Sequence, residues 1–193
     1  MNRIILIFLV VFFIGCNNSS KHKQEAIDLN NQALLLSQNS QQDSALILFD
    51  KAIKMDDKYY LPHANKIGLY LEKKEYEKAL HESEMVNLKQ PNLGEGWFFT
   101  GLLNKYVGKI NEAKKCFEKS ITIFSERIND PEKVKDIQAN IVNRAIAKKF
   151  IEDESYLLDF NSLNNYEDYG DLNGLVDIYK NMTQDEIMNE LLK

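Results

Sequence analysis

The sequence predicts an all-α chain assembled from repeated helix–turn–helix units, on three observations. A pattern of small and aromatic residues recurs every 34 positions. Ala45, Ala79 and Ala113 form one column, Phe49, Ser83 and Phe117 a second, and Ala52, Val86 and Ser120 a third. Around these columns apolar residues recur at three- and four-residue steps, which gathers them on one face of an α-helix. Proline is confined to Pro62, Pro91 and Pro131, and glycine occurs eight times in 193 residues, so little interrupts helix.

The stretch from Gly94 to Arg127 shows the unit most fully. Trp97 and Gly101 lie one turn apart, Gly108-Lys109 breaks the helix, and Ala113, Phe117 and Ser120 follow at helical spacing. Small residues let two helices approach closely, and Trp97 and Phe117 are expected to fill the gaps between them. This layout resembles the tetratricopeptide repeat (TPR), a 34-residue helical hairpin with Trp, Gly, Ala, Phe, Ala and Pro at its signature points. Three copies in phase, 26–59, 60–93 and 94–127, cover 102 residues, and Pro91 falls where the family places its proline. Ser83 departs from the aromatic, Asp57 from the proline, and Trp97 has no counterpart in the other copies. The resemblance implies a right-handed TPR solenoid of about three hairpins, closed by C-terminal capping helices.

From the start of the chain, Met1-Asn2-Arg3 precedes an apolar run from Ile4 to Ile14. That run is too short for a bilayer, which needs about 20 residues. A basic start and an apolar core read as a signal peptide over 1–15. Phe13-Ile14-Gly15-Cys16 resembles a bacterial lipobox, which implies cleavage before Cys16 and fatty acyl chains, palmitate among them, on its sulfur and new amino terminus. At about 0.8 kcal/mol per buried CH₂, several such chains make a lasting membrane anchor. Residues 16–25 are then the lipidated cysteine and a flexible polar tether. Asn17 is not the aspartate that commonly signals inner-membrane retention, so the resemblance implies the outer membrane of a two-membrane bacterium.

In the first repeat Ala26, Leu29, Ala33 and Leu36 form a stripe, and Asn39-Ser40 is placed to cap the second helix. In the middle repeat Ile67 and Tyr70 are set against Tyr76, Ala79 and Val86. Residues 128–193 read as a degenerate fourth repeat and an acidic helical cap. A helix is expected over Glu132 to Ile151, a short one over Ser155 to Leu163 and a loop over Asn164 to Gly170. Helices from Leu172 to Lys180 and Gln184 to Leu192 complete it, the last opened by the capping box of Thr183 and Glu186. From residue 152 onward there are eleven acids and two lysines, facing Lys114, Lys115, Lys133, Arg144 and Lys148 across a salt-screened attraction that is a minor aid. The segment is expected to cover the last apolar side of the stack; the rival is a turn back over Leu34, Leu71 and Phe98.

By the family's geometry the first helices line a concave groove, on which Asn30, Leu34, Leu61, Leu71, Phe98, Leu102, Lys105 and Tyr106 are the candidate partner-binding residues. An apolar floor with polar edges suits an amphipathic helix or an extended apolar segment. Chaperone-binding members of the family hold a terminal carboxylate with polar groups. Here Leu34, Glu95 and Phe99 stand at three of those positions and only Asn65 matches, so that mode is not expected. A net charge of −5 without an arginine-rich face argues against nucleic acid. His81-Glu82 opens like a zinc-protease helix, but Met85 stands where the second histidine must be, and no metal or cofactor is implied. No nucleophile, base and orienting group assemble, so no catalytic residue is assigned and the chain is read as no enzyme. Cys116, left unpaired by a lipidated Cys16, is expected to be a small buried filler. The expected function is a lipid-anchored envelope adaptor that holds a protein or peptide partner without turnover. The alternative is an accessory subunit that captures a small ligand or glycan on Trp97, Phe98 and Tyr106.

Overall fold

The structure, a computed structural model, describes residues 22–130, 132, 136–165 and 172–193. The leader, Cys16 and the tether through residue 21 lie outside the described residues, as do Pro131, Lys133 and most of the loop before residue 172. Two compact units divide the described chain between Pro91 and Asn92. Unit one holds α1 (Gln24–Gln38), α2 (Gln42–Met55), α3 (Leu61–Glu72) and α4 (Tyr76–Lys89). Unit two holds α5 (Gly94–Tyr106), α6 (Ile110–Ile128), α7 (Ile137–Phe150), α8 (Tyr156–Ser162), α9 (Leu172–Asn181) and α10 (Gln184–Leu191).

The second helix of each of the first three hairpins begins at Gln42, Tyr76 and Ile110, a spacing of 34 residues. The turn before each contains one residue in the left-handed region: Ser40 (φ 60°), Lys74 (φ 57°) and Gly108 (φ 82°). In each, two backbone N–H groups fold back on the ending helix, as Lys74 N to Leu71 O (2.9 Å) and Glu75 N to Tyr70 O (2.8 Å) do. That satisfies carbonyls the helix end leaves open. A fourth hairpin, α7–α8, uses the same device at Glu152 (φ 60°), with Asp153 N donating to Lys148 O at 3.1 Å. Asn39 and Ser40 therefore do not cap α2. They end α1, and Gln41 precedes α2 with no side-chain cap.

All nine side chains of the three columns are buried, including Ser83 in the aromatic position and Ser120, whose hydroxyl donates to Gly94 O at 2.9 Å. In unit one Ala33, Ala45, Phe49 and Leu69 make one cluster, flanked by Leu34, Leu36, Leu46 and Leu48. The stripe on α1 is Ala26, Asn30 and Ala33; Leu29 and Leu36 are half-buried.

In unit two the core is aromatic. Phe117 stacks on Phe150 at 4.9 Å between centroids, and Phe98 meets Phe117 at 5.6 Å and the edge of Phe150 at 5.7 Å. A Cβ on Gly101 would stand 2.7 Å from the Phe117 ring, so α5 and α6 cross where only glycine fits. Trp97 is half-buried, and Cys116 is buried as expected. Helix α7 starts at Ile137 rather than Glu132, with Asp136 preceding it.

The C-terminal pair α9–α10 packs on the α7–α8 hairpin. The Lys149 ammonium donates to the carbonyls of Tyr179 (3.2 Å) and Lys180 (3.0 Å) at the end of α9, where a cation also meets the negative end of the helix. Gln184 Nε2 donates to Lys149 O (2.8 Å), and Tyr179, Ile187 and Leu192 are buried. These are the contacts of a cap. The capping box is formed, with Glu186 N donating to Thr183 Oγ1 at 3.2 Å and Thr183 N to Glu186 Oε2 at 2.7 Å. Two of the basic residues that the sequence set against the acidic end, Arg144 and Lys148, pair with it directly. Arg144 forks onto buried Asp159 at 2.7 and 3.0 Å, and Lys148 adds a third bond at 2.9 Å. Buried pairs are screened far less than exposed ones.

Candidate partner-binding face and a buried charge cluster

In unit one the first helices of the two hairpins, α1 and α3, share a face. Asn65 on α3 donates to Asn30 Oδ1 on α1 at 2.8 Å, which ties the helices together and satisfies an amide that is otherwise buried. Around this brace Ile27, Leu34, Leu61 and Ala64 are half-exposed, and Leu71 is buried at the far end. Gly68 is exposed, and a Cβ built on it meets nothing within 4 Å. The face carries these apolar side chains around the amide brace, and at Gly68 it is open to solvent.

In unit two the sequence-predicted residues divide differently. Phe98 and Leu102 are interior, with Phe98 held against Phe117 and Phe150, and they support the helix face without forming it. Lys105 is half-buried and Tyr106 is 42% exposed. Glu95 is buried in an ion pair with Arg127 (2.7 Å), whose other nitrogen donates to Asn92 O and whose guanidinium lies over the Phe124 ring. Three aromatics for stacking a flat ligand are thus not presented together, since Phe98 is spent on the core.

Sequence reasoning missed a buried charge cluster in unit one. Glu82 on α4 accepts from His63 Nδ1 (2.6 Å) and from the Lys66 ammonium (2.5 Å), both on α3. Lys66 also donates to Asp50 Oδ1 on α2 (2.8 Å), so one cation links three helices. Burial pushes the Glu82 carboxyl up, but the bonds from His63 and Lys66 and the charge of Lys66 outweigh it and hold it below the ordinary glutamate value. Burial likewise pulls Lys66 down, and its bonds to Asp50 and Glu82 more than offset that, holding it above the ordinary lysine value. Glu82 and Lys66 are therefore both ionised at neutral pH. His63 Nε2 is buried with no hydrogen-bond partner among the described residues. The signal was available: the hairpin that carries Ser83 in the aromatic column also carries a polar interior. The histidine beside Glu82 in sequence, His81, is exposed and takes no part.

Among the described residues no group of three or more His, Cys, Asp or Glu side chains is placed to hold a metal ion. Among the described residues no helix is long and apolar enough to cross a membrane.

No family model matches the chain. Among solved structures, MamA superposes with a TM-score of 0.53 at 12% identity, over 84% of this chain and 90% of that one. The TPR domain of Sgt2 from Aspergillus fumigatus is similar at TM-score 0.48 and 18% identity, over 71% and 85%. The second TPR domain of Spaghetti, solved with an HSP90 peptide bound, is similar at TM-score 0.46 and 24% identity, over 52% and 93%. At these identities the likeness concerns the fold alone. That fold is all-α and of the tetratricopeptide-repeat type, with helical hairpins recurring at 34 residues.

Proposed function

We propose that this protein is a lipid-anchored adaptor of the bacterial envelope that holds a segment of a protein partner against the first helices of its hairpins, without chemical turnover. The observation that carries the reading is the α1–α3 face, half-exposed at Ile27, Leu34, Leu61 and Ala64 and open at Gly68. An apolar face braced by the Asn65–Asn30 amide bond is a surface for an amphipathic helix or an extended apolar segment. The anchor rests on the lipobox-like Phe13-Ile14-Gly15-Cys16 that ends an apolar leader.

The test of binding uses Gly68→Trp. It places an indole on that face, at a position where an added Cβ meets nothing within 4 Å. The processed chain and this variant are used as parallel baits in detergent-solubilised envelope. A partner retained by the native chain and lost with Gly68→Trp, at an unchanged melting temperature, is the expected result. Equal retention by both refutes the α1–α3 face as the binding surface. For the anchor, Cys16→Ser is expected to abolish metabolic labelling with a fatty acid and to release the protein from the membrane fraction. Equal, unlabelled membrane retention of both forms refutes lipidation.

A further inference from the structure

The chain between Cys16 and α1 is fastened to unit one at its last two residues. Asp56, at the end of α2, accepts from His22 Nδ1 and from the Lys23 backbone N–H through Oδ2, both at 3.0 Å. Its Oδ1 accepts from the Lys58 backbone N–H at 3.1 Å. The His22 ring lies against the ring of buried Tyr59, with centroids 4.8 Å apart. Burial pushes the Asp56 carboxyl up, but the bonds from Lys23, His22 and Lys58 outweigh it and hold it below the ordinary aspartate value, so the acceptor is charged at neutral pH. It also stands at the N-terminus of α1, where an anion meets the positive end of the helix. One carboxylate thus joins the entering chain to the turn between α2 and α3.

Only residues 17–21 separate Cys16 from this clamp. Whatever their conformation, the span from Cys16 to His22 is at most about 22 Å. The clamped end of unit one, where α1 and α3 begin and α2 ends, is therefore held close to Cys16. On the reading of Cys16 as a lipid anchor, we propose that the His22–Asp56 clamp turns this end of unit one toward the membrane surface. The α1–α3 face then rises from the bilayer, with Ile27 and Leu61 lowest and Leu34 and Gly68 above them. From Cys16 to Leu34 the path is eight residues before α1 and ten within it, at most about 45 Å, so the face is offered to partner segments within that distance of the same membrane. Exposed Lys23, Lys54 and Lys58 stand at the clamped end beside exposed Glu25 and Asp57. Their charges nearly balance, so the tether, not attraction to anionic lipid, sets the orientation.

The test uses the lipidated chain in phosphatidylcholine vesicles that carry a nitroxide on a fraction of their headgroups. A fluorophore is attached through Asp57→Cys, beside the clamp, or through Asn39→Cys, in the turn about 20 Å away along α1 and α2, each in a chain with Cys116→Ala. Stronger quenching at position 57 than at position 39 is the expected result; equal quenching, or more at position 39, overturns the proposal. Asp56→Ala removes the acceptor, and His22→Ala leaves the carboxylate its two backbone bonds. Both are expected to narrow the difference, and a difference unchanged in both overturns the clamp. Chains that carry no fatty acid and do not float with the vesicles refute the anchor, and this proposal with it. Chains that carry the acid and float, yet show no preferred end, refute this proposal alone.

Discussion

Gly68 and Gly101 make a matched pair, because both lie inside helices and only one has a neighbour where its Cβ would go. Replacing either with alanine removes the same helix-interior penalty of about 1 kcal/mol. At Gly68 nothing lies within 4 Å, so Gly68→Ala is expected to gain that full amount. At Gly101 the new methyl would stand 2.7, 2.8 and 3.0 Å from three atoms of the Phe117 ring. Carbon atoms rest at about 3.5–4 Å, so the ring must yield by most of an ångström. It has little room to do so, being buried and held between Phe98 and Phe150. Overpacking of this kind costs about 1–3 kcal/mol. Gly101→Ala is therefore expected to be neutral or to lose up to about 2 kcal/mol, and Gly101→Leu to lose more. For a chain of this length each kcal/mol moves the melting temperature by about 2–4 °C. Calorimetry of both variants, with urea midpoints and slopes as a check, separates them. Equal shifts at the two glycines would refute the close crossing of α5 and α6 and, with it, the 34-residue register.

Three further perturbations follow from particular contacts. Burial, and after it the charge of Glu190, push the Tyr179 hydroxyl up to about 12 from the ordinary 10.0. A pKa raised by folding gives stability that is complete below pH 10 and fades as pH rises toward 12. Native protein is thus expected to lose about 2–3 kcal/mol over that window relative to Tyr179→Phe; parallel pH profiles of the two would refute the burial of this group. Arg144→Ala leaves Asp159 buried with Lys148 alone, and a loss of about 2 kcal/mol in urea titration is expected, below the full 3–5 kcal/mol of an abandoned buried charge; no loss would mean that the fork contributes nothing. Lys74→Gly relieves a left-handed residue at φ 57° and is expected to raise stability by about 0.5–1 kcal/mol, while an unchanged urea midpoint would argue against that turn.

The sequence by itself determined the hairpins. Ala45, Ala79 and Ala113 and their companion columns are buried because small and aromatic residues at fixed helical steps leave one way to pack a pair. The capping box at Thr183 and Glu186 was legible for a similar reason, since it joins residues three apart and needs nothing from the rest of the chain. The tertiary structure decided what depends on distant segments. Whether Leu29 or Asn30 faced inward on α1 turned on Asn65, which lies 35 residues away and offers the amide a partner. Phe98 and Leu102 read as groove floor, yet both are interior, and Phe150 of α7 meets Phe98 there. Lys66 and Glu82 look like surface charges on their own helices. They are interior because three helices converge on them, and the ion pair offsets the cost of their burial. Periodicity reports which side of a helix is apolar. It does not report which neighbour meets that side, and at Asn30, Phe98 and Glu82 the neighbour decided the role.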